Sequence, residues 1–227
     1  MTTNKKTVKV WSPLIRIGHW TLVIAFFTAY FTEDDFMILH VWTGYIVGPY
    51  LLTRILWGFV GSKHVRFSSF MYCPAKIFGY LKNLITRKPE HYIGHNPAGG
   101  AMVIALLFSL AGTTLTGMKL YAVEDNKGPF AITAKQAQTL VQSVSLIAEA
   151  KAEDDDEDEE SKVINNSHKV DKQVEEFWEE LHELFANLTL LLVFIHIGGV
   201  FVSSYIDKEK LVKAMLTGEK EIDDTYQ

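Results

Sequence analysis

Four stretches of this chain are nearly free of charge, and each is about as long as the ~20 residues a helix needs to cross ~30 Å of hydrocarbon. They run from about Ser12 to Phe31, Phe36 to Gly61, Pro97 to Met118 and Phe177 to Tyr205. Ser12 with Pro13, and Asn96 with Pro97, suit the N-cap and first position of a helix. Pro49 lies inside the second stretch, where a membrane helix tolerates it if neighbours satisfy the freed carbonyl. Core helices of a soluble protein are the competing reading. Those are shorter and carry a charged face, which the first and third stretches lack. The expected fold is therefore all-α, an integral membrane four-helix bundle forming a single domain over residues 1–227.

Average composition hides this pattern. Hydrophobic residues make up 48 % and charged ones 22 %, as in a soluble chain, but the charges are segregated. The run "EDDDEDEE", Glu153 to Glu160, is wholly acidic. It reads as a solvated tether within a long loop of about residues 119–176. Docking of a basic redox protein on that run is the sharper alternative. The net charge of −5 and the lack of a basic stripe give no indication of nucleic-acid binding. Cys73 is the single cysteine. The chain can form no internal disulfide, hold no cysteine-ligated iron–sulfur cluster and attach no haem covalently through Cys-x-x-Cys-His. The first apolar stretch lacks a small-residue cleavage site and reads as an uncleaved anchor.

Basic residues near the span ends set the expected orientation. Lys5, Lys6, Lys9 and Arg16 precede or open the first span, and Lys63, Arg66, Lys76, Lys82, Arg87 and Lys88 lie between the second and third. Lys208, Lys210 and Lys213 follow the fourth, whereas the "TEDD" loop after the first has no basic residue. Both termini are expected on the cytoplasmic side. Two further segments are amphipathic. Pro74 to Lys88 places Ile77, Leu81, Leu84 and Ile85 on one face, as for a helix lying on the membrane surface. Ala131 to Ala150 places Leu140, Val141, Val144 and Ile147 at helical spacing, as for a helix packed on the outer end of the bundle.

Of eight histidines, four fall in or at the spans: His19, His40, His182 and His196. The last two are fourteen residues apart, about 21 Å along a helix and only about 40° short of four full turns. They share a face. With the orientation above, His19 and His196 lie toward the cytoplasm, and His40 and His182 toward the outside. Neutral imidazoles on facing helices fill both axial positions of haem iron, so two pairs at two depths suit two stacked haems. Each histidine taken singly has a plainer reading, a hydrogen bond across helices. Four matched in depth on three helices argue for a purpose, because polar groups in lipid are costly. Gly18, Gly44, Gly48, Gly112, Gly117, Gly198 and Gly199 would let a flat macrocycle approach the backbone, or would serve helix packing alone. Arg16 and Arg54 would snorkel to headgroups or pair with a haem propionate. His64, His91, His95 and His168 fall in loops or at span ends.

The motifs "RIGHW", "LHVWTGYIVGPYLLTRILWGFVG", "GHNPAGG" and "LH" with a second histidine fourteen residues on resemble the prokaryotic cytochrome b561 family. That family is related to the b-type subunit of nickel–iron hydrogenases. The resemblance covers about residues 8–120 and 177–205. It implies a four-helix bundle in the bacterial inner membrane and two non-covalent haem b groups with bis-histidine ligation at His19, His40, His182 and His196. It also implies electron exchange with quinone or quinol and a redox partner such as a cytochrome c. The alternative is a membrane-anchor cytochrome subunit of a larger oxidoreductase, such as a hydrogenase-like complex. The long acidic insert departs from the family's short loop and leaves the partner open.

Overall fold

The computed structural model describes residues 6–33, 35–62, 65–86, 92–132, 158–206 and 210–222, with side chains in the last long helix from residue 172. The chain divides into two compact units, Met1–Ala111 with Ala186–Gln227, and Gly112–Phe185. Six α-helices occur among the described residues: α1 (Pro13–Tyr30), α2 (Met37–Val60), α3 (Pro74–Ile85), α4 (Pro97–Glu124), α5 (Asp158–Ile206) and α6 (Leu211–Thr217). Two short strands, β1 (Lys6–Lys9) and β2 (Glu219–Ile222), pair antiparallel with Lys6 opposite Ile222.

Pro13 opens α1 and its ring pre-sets the helical φ. Asn96 caps α4: its side-chain oxygen accepts from the Gly99 N–H at 2.7 Å, while its amide donates to the Tyr80 hydroxyl at 2.8 Å. One residue thus starts α4 and docks α3. α4 continues to Glu124, past the expected end near Met118. α5 begins at Asp158 rather than near Phe177, so residues 158–160 of the acidic run are helical. Residues 153–157 and most of Ala131 to Ala150 lie outside the described residues. The first part of α5 is rich in charged and polar residues; one exposed pair at i,i+4 spacing, Lys172–Glu176 at 4.0 Å, accompanies it.

In the first unit, Ala25 and Phe26 of α1, Val47 and Leu51 of α2 and Leu110 of α4 form a buried cluster. Leu190 and Val193 of α5 pack against it. Four helices therefore contribute to one core. Between α4 and α5 the hydroxyls of Ser109 and Thr189, both fully buried, are hydrogen-bonded at 2.7 Å.

Opposite that core, α1 exposes Ile17 and Ile24, α2 exposes Ile38, Leu52 and Leu56, and α5 exposes Leu191, Phe194 and Phe201. Large apolar surfaces of this kind mark contact with lipid or protein. Among the described residues, α4 and the Lys172–Ile206 part of α5 are long and apolar enough to cross a membrane. Only 17 % and 6 % of their most apolar windows are buried inside the structure, unlike the core helices of a soluble protein. Four spans were expected and two meet this measure. α1 and α2 each carry an arginine and a histidine that lower their average apolarity.

A clasp joins the two ends of the described chain. Gly218 ends α6 in the left-handed region (φ +83°). Its carbonyl accepts from the Val10 and Trp11 N–H groups at 2.9 and 3.2 Å, and Arg16 Nη1 donates to the Leu216 carbonyl. Below the clasp, α3 turns Tyr80 inward, with Ile77 and Leu84 half-buried beside it, and leaves Phe78, Leu81 and Ile85 exposed. The single apolar face expected of α3 is therefore two stripes, one packed and one bare.

Candidate functional site

In the first unit, α1 and α5 bring His19 and His196 together. Their ring centroids stand 6.5 Å apart with the planes inclined at 58°. Two imidazoles on opposite sides of one metal ion, at about 2 Å per metal–nitrogen bond, have ring centres roughly 6–6.5 Å apart. His19 Nδ1 is buried and has no hydrogen-bond partner, and Trp20 meets its ring edge-on at 5.3 Å.

His40, in the same unit, is anchored differently. Its Nδ1–H donates to the Ala29 carbonyl of α1 at 2.9 Å. In a neutral imidazole that bond fixes the tautomer and puts the ring's lone pair on Nε2, the atom needed by a metal.

The second unit holds His182 by the same device. Its Nδ1–H donates to the Thr113 carbonyl at 3.0 Å. The Thr116 hydroxyl lies 3.2 Å away and directs its own proton to the Gly112 carbonyl at 2.8 Å. Gly117 makes the approach possible, since a Cβ there would stand 2.8 Å from His182 Cε1. Sequence reasoning missed Ala29, Thr113 and Thr116. The cluster of threonines on an otherwise apolar α4 was the one available sign.

The glycines divide between the two roles expected for them. Gly18, Gly112 and Gly117 are closely covered by Tyr50, Phe185 and His182 respectively, so they serve packing. A Cβ at Gly44, one turn past His40, or at Gly198 or Gly199, just past His196, would meet nothing within 4 Å. A flat ring system could approach the backbone there. Among the described residues no three His, Cys, Asp or Glu side chains converge to hold a bare metal ion. Paired imidazoles suit instead a metal that brings four donors of its own, as haem iron does.

Other polar residues take structural places. His95 is sandwiched between Trp11 and Phe70, at 4.7 and 4.6 Å between centroids. Arg16 is bound into the clasp, and Arg54 is buried on the inner face of α2, so Arg54 does not extend to solvent as a snorkelling residue does. His64, His91 and the His168 side chain lie outside the described residues.

Long helices with apolar outer faces, and two imidazoles whose Nδ1–H is bound to a main-chain oxygen, suit a helical membrane protein that holds a metal-containing cofactor. The model of the prokaryotic cytochrome b561 family matches residues 10–218, and the chain belongs to that family. It is a membrane-integral, mostly helical b-type cytochrome, a class whose cofactor is haem b and whose chemistry is electron transfer. It is similar to the "Probable Ni/Fe-hydrogenase B-type cytochrome subunit" of Bradyrhizobium diazoefficiens, with 28 % identity over 149 residues, covering 52 % of this chain and 60 % of that protein. The proteins of the same name from Azotobacter chroococcum and Azotobacter vinelandii are each 27 % identical, over 56 % and 52 % of this chain and 65 % and 61 % of their own. The matched region thus spans less than two thirds of these relatives. No solved structure matches.

Proposed function

We propose that this chain is a di-haem cytochrome of the bacterial inner membrane that carries electrons between the quinone pool and a partner redox protein. His19 and His196 ligate the haem nearer the cytoplasm, and His40 and His182 the outer one. The observation that carries this reading is the 6.5 Å separation of the His19 and His196 rings, which suits axial ligation of one iron from α1 and α5. The shared Nδ1–H anchoring of His40 and His182 supports the second pair, because it leaves Nε2 as the ligand atom of each.

Haem b, when bound, supplies one-electron chemistry. The chain's own part would be to hold the His40 and His182 imidazoles in one tautomer and to supply two histidine ligands to each haem. Four helices that share a core around Phe26 and Leu51 support a four-helix membrane bundle. The β1–β2 pairing supports an even number of crossings, since both strands must lie on one side of the bilayer. The lysines and arginines of the α2–α4 connection argue that this side is the cytoplasm.

A reduced-minus-oxidised visible spectrum with a pyridine haemochrome assay tests the reading. Two b haems per chain are expected in the wild type, and one in His196→Ala. Two haems in that variant, or none in the wild-type protein, would overturn it.

The second reading is a membrane-anchor subunit of a larger oxidoreductase. It is favoured by the relatives, which are named as probable hydrogenase b-type cytochrome subunits. Gentle purification decides between them. Co-elution of a catalytic subunit supports the anchor, and quinone-linked redox cycling by the isolated chain supports the free carrier.

A further inference from the structure

The inner face of α2 is a single stripe of buried residues at helical spacing: Thr43, Val47, Leu51, Arg54 and Gly58. Arg54 is the one charge in it. Only 8 % of the residue is exposed. Its guanidinium lies over the Phe67 ring at 5.5 Å, and its Nη1 is buried without a hydrogen-bond partner. Among the described residues no carboxylate is paired with it. Arginine keeps its proton in proteins, so burial cannot be relieved by neutralisation. The face of Phe67 offsets part of the charge but accepts no hydrogen bond of ordinary strength. Among the described residues the chain supplies no anion to it.

The position of Arg54 says which anion. Gly18, the neighbour of His19, lies against the Tyr50 ring so closely that a Cβ would overlap it. Arg54 follows Tyr50 by four residues, on the same face and about 6 Å further along α2. α1 and α2 are joined as a hairpin, so that step leads past the level of His19 toward the Ser12 end of α1. Arg16, the other arginine near that end, already donates to the Leu216 carbonyl in the clasp. We propose that Arg54 binds a propionate carboxylate of the haem held between His19 and His196. This rests on the ligation proposed above. A planar guanidinium matches a carboxylate in a two-bond fork, and haem carries its carboxylates along one edge of the ring. A lipid phosphate has similar chemistry, but lipid meets the opposite side of α2, where Leu52 and Leu56 are exposed.

The test is an optical redox titration of the purified, haem-loaded protein as wild type, Arg54→Lys and Arg54→Met. The haem that is lost in His19→Ala identifies the inner centre. A positive charge against its carboxylate favours the reduced state. Arg54→Met is therefore expected to lower the inner haem's reduced-to-oxidised ratio at a fixed potential at least tenfold, about 59 mV for one electron. The outer haem should not move. Arg54→Lys keeps the charge and should shift the inner haem far less than Arg54→Met. Unchanged potentials in Arg54→Met, with one haem still lost in His19→Ala, overturn the propionate contact and leave the ligation standing. Two haems retained in His19→Ala overturn both. Loss of bound phospholipid from Arg54→Met, by phosphorus assay, with potentials unchanged assigns Arg54 to lipid and also overturns the proposal. If neither variant yields loaded protein, the wild type decides. Its infrared redox difference spectrum, with haem carrying ¹³C in the propionate carboxylates, should show an ionised carboxylate band that shifts on ¹⁵N labelling of arginine. A band that does not shift overturns the contact.

Discussion

The Nδ1–H of His40, on α2, donates to the Ala29 carbonyl of α1 at 2.9 Å, and His182 makes the same bond to the Thr113 carbonyl at 3.0 Å. Two histidines in separate units thus share one tautomer, each fixed by a main-chain oxygen of a different helix. Thr113 lies inside α4, where a carbonyl accepts from the N–H four residues on and its second lone pair takes the imidazole proton. Ala29 lies in the last turn of α1, where carbonyls lack that helical partner. The arrangement orients the ring without adding a charged residue to an apolar helix.

His182→Ala is expected to remove one of two haems and leave the other, halving the haemochrome per protein. The remaining centre should keep its visible bands, since His19 and His196 pack in the other unit. Retention of both haems would refute the outer pairing.

Gly117→Ala opposes two effects of similar size. Alanine favours a helix over glycine by about 1 kcal/mol, whereas overpacking costs roughly 1–3 kcal/mol. The new Cβ would stand 2.8 Å from His182 Cε1 and 3.1 Å from Nδ1, so the ring must swing and the bond to Thr113 must lengthen. A small change in melting temperature with a clear change in the outer haem's spectrum or occupancy is expected. An unaltered spectrum would show that the ring position is not critical.

Gly218→Ala should loosen the clasp. The residue has φ +83°, where a side chain costs about 1–2 kcal/mol, and its Cβ would approach the Trp11 carbonyl to 2.7 Å. Destabilisation of about that size or more is expected by thermal melting. Faster proteolysis near β1 and β2, with haem content unchanged, would localise it.

Cys73 offers a direct test of orientation. It is the only cysteine, it is exposed, and it precedes α3. A membrane-impermeant maleimide should label it in inverted vesicles and leave it unlabelled in intact spheroplasts. The opposite result would reverse the assigned topology. A lipid-borne quencher should also reach a fluorophore there, because Phe78 and Ile85 give α3 an exposed apolar stripe.

The sequence by itself determined the mostly helical membrane class and singled out four histidines as candidates, because both follow from local rules. Apolar run length fixes what can cross a bilayer, and a 3.6-residue period fixes that His182 and His196 share a face. Pro13 and Asn96 could be read as helix starts for the same reason: a cap acts within one turn. What lay beyond was decided by tertiary structure. β1 and β2 are four-residue strands far apart in the chain, and Arg16 bonds a carbonyl 200 residues away, so neither leaves a local pattern. The 49-residue length of α5 lies beyond the apolar run, since charged and polar residues dominate its first part. The threonine and alanine oxygens that orient His182 and His40 belong to other helices, and a backbone carbonyl has no residue type to betray it. Arg54 shows the same division. The sequence placed a charge in an apolar helix, but only the packing turned it inward, because the face a residue takes depends on which neighbours the helix finds.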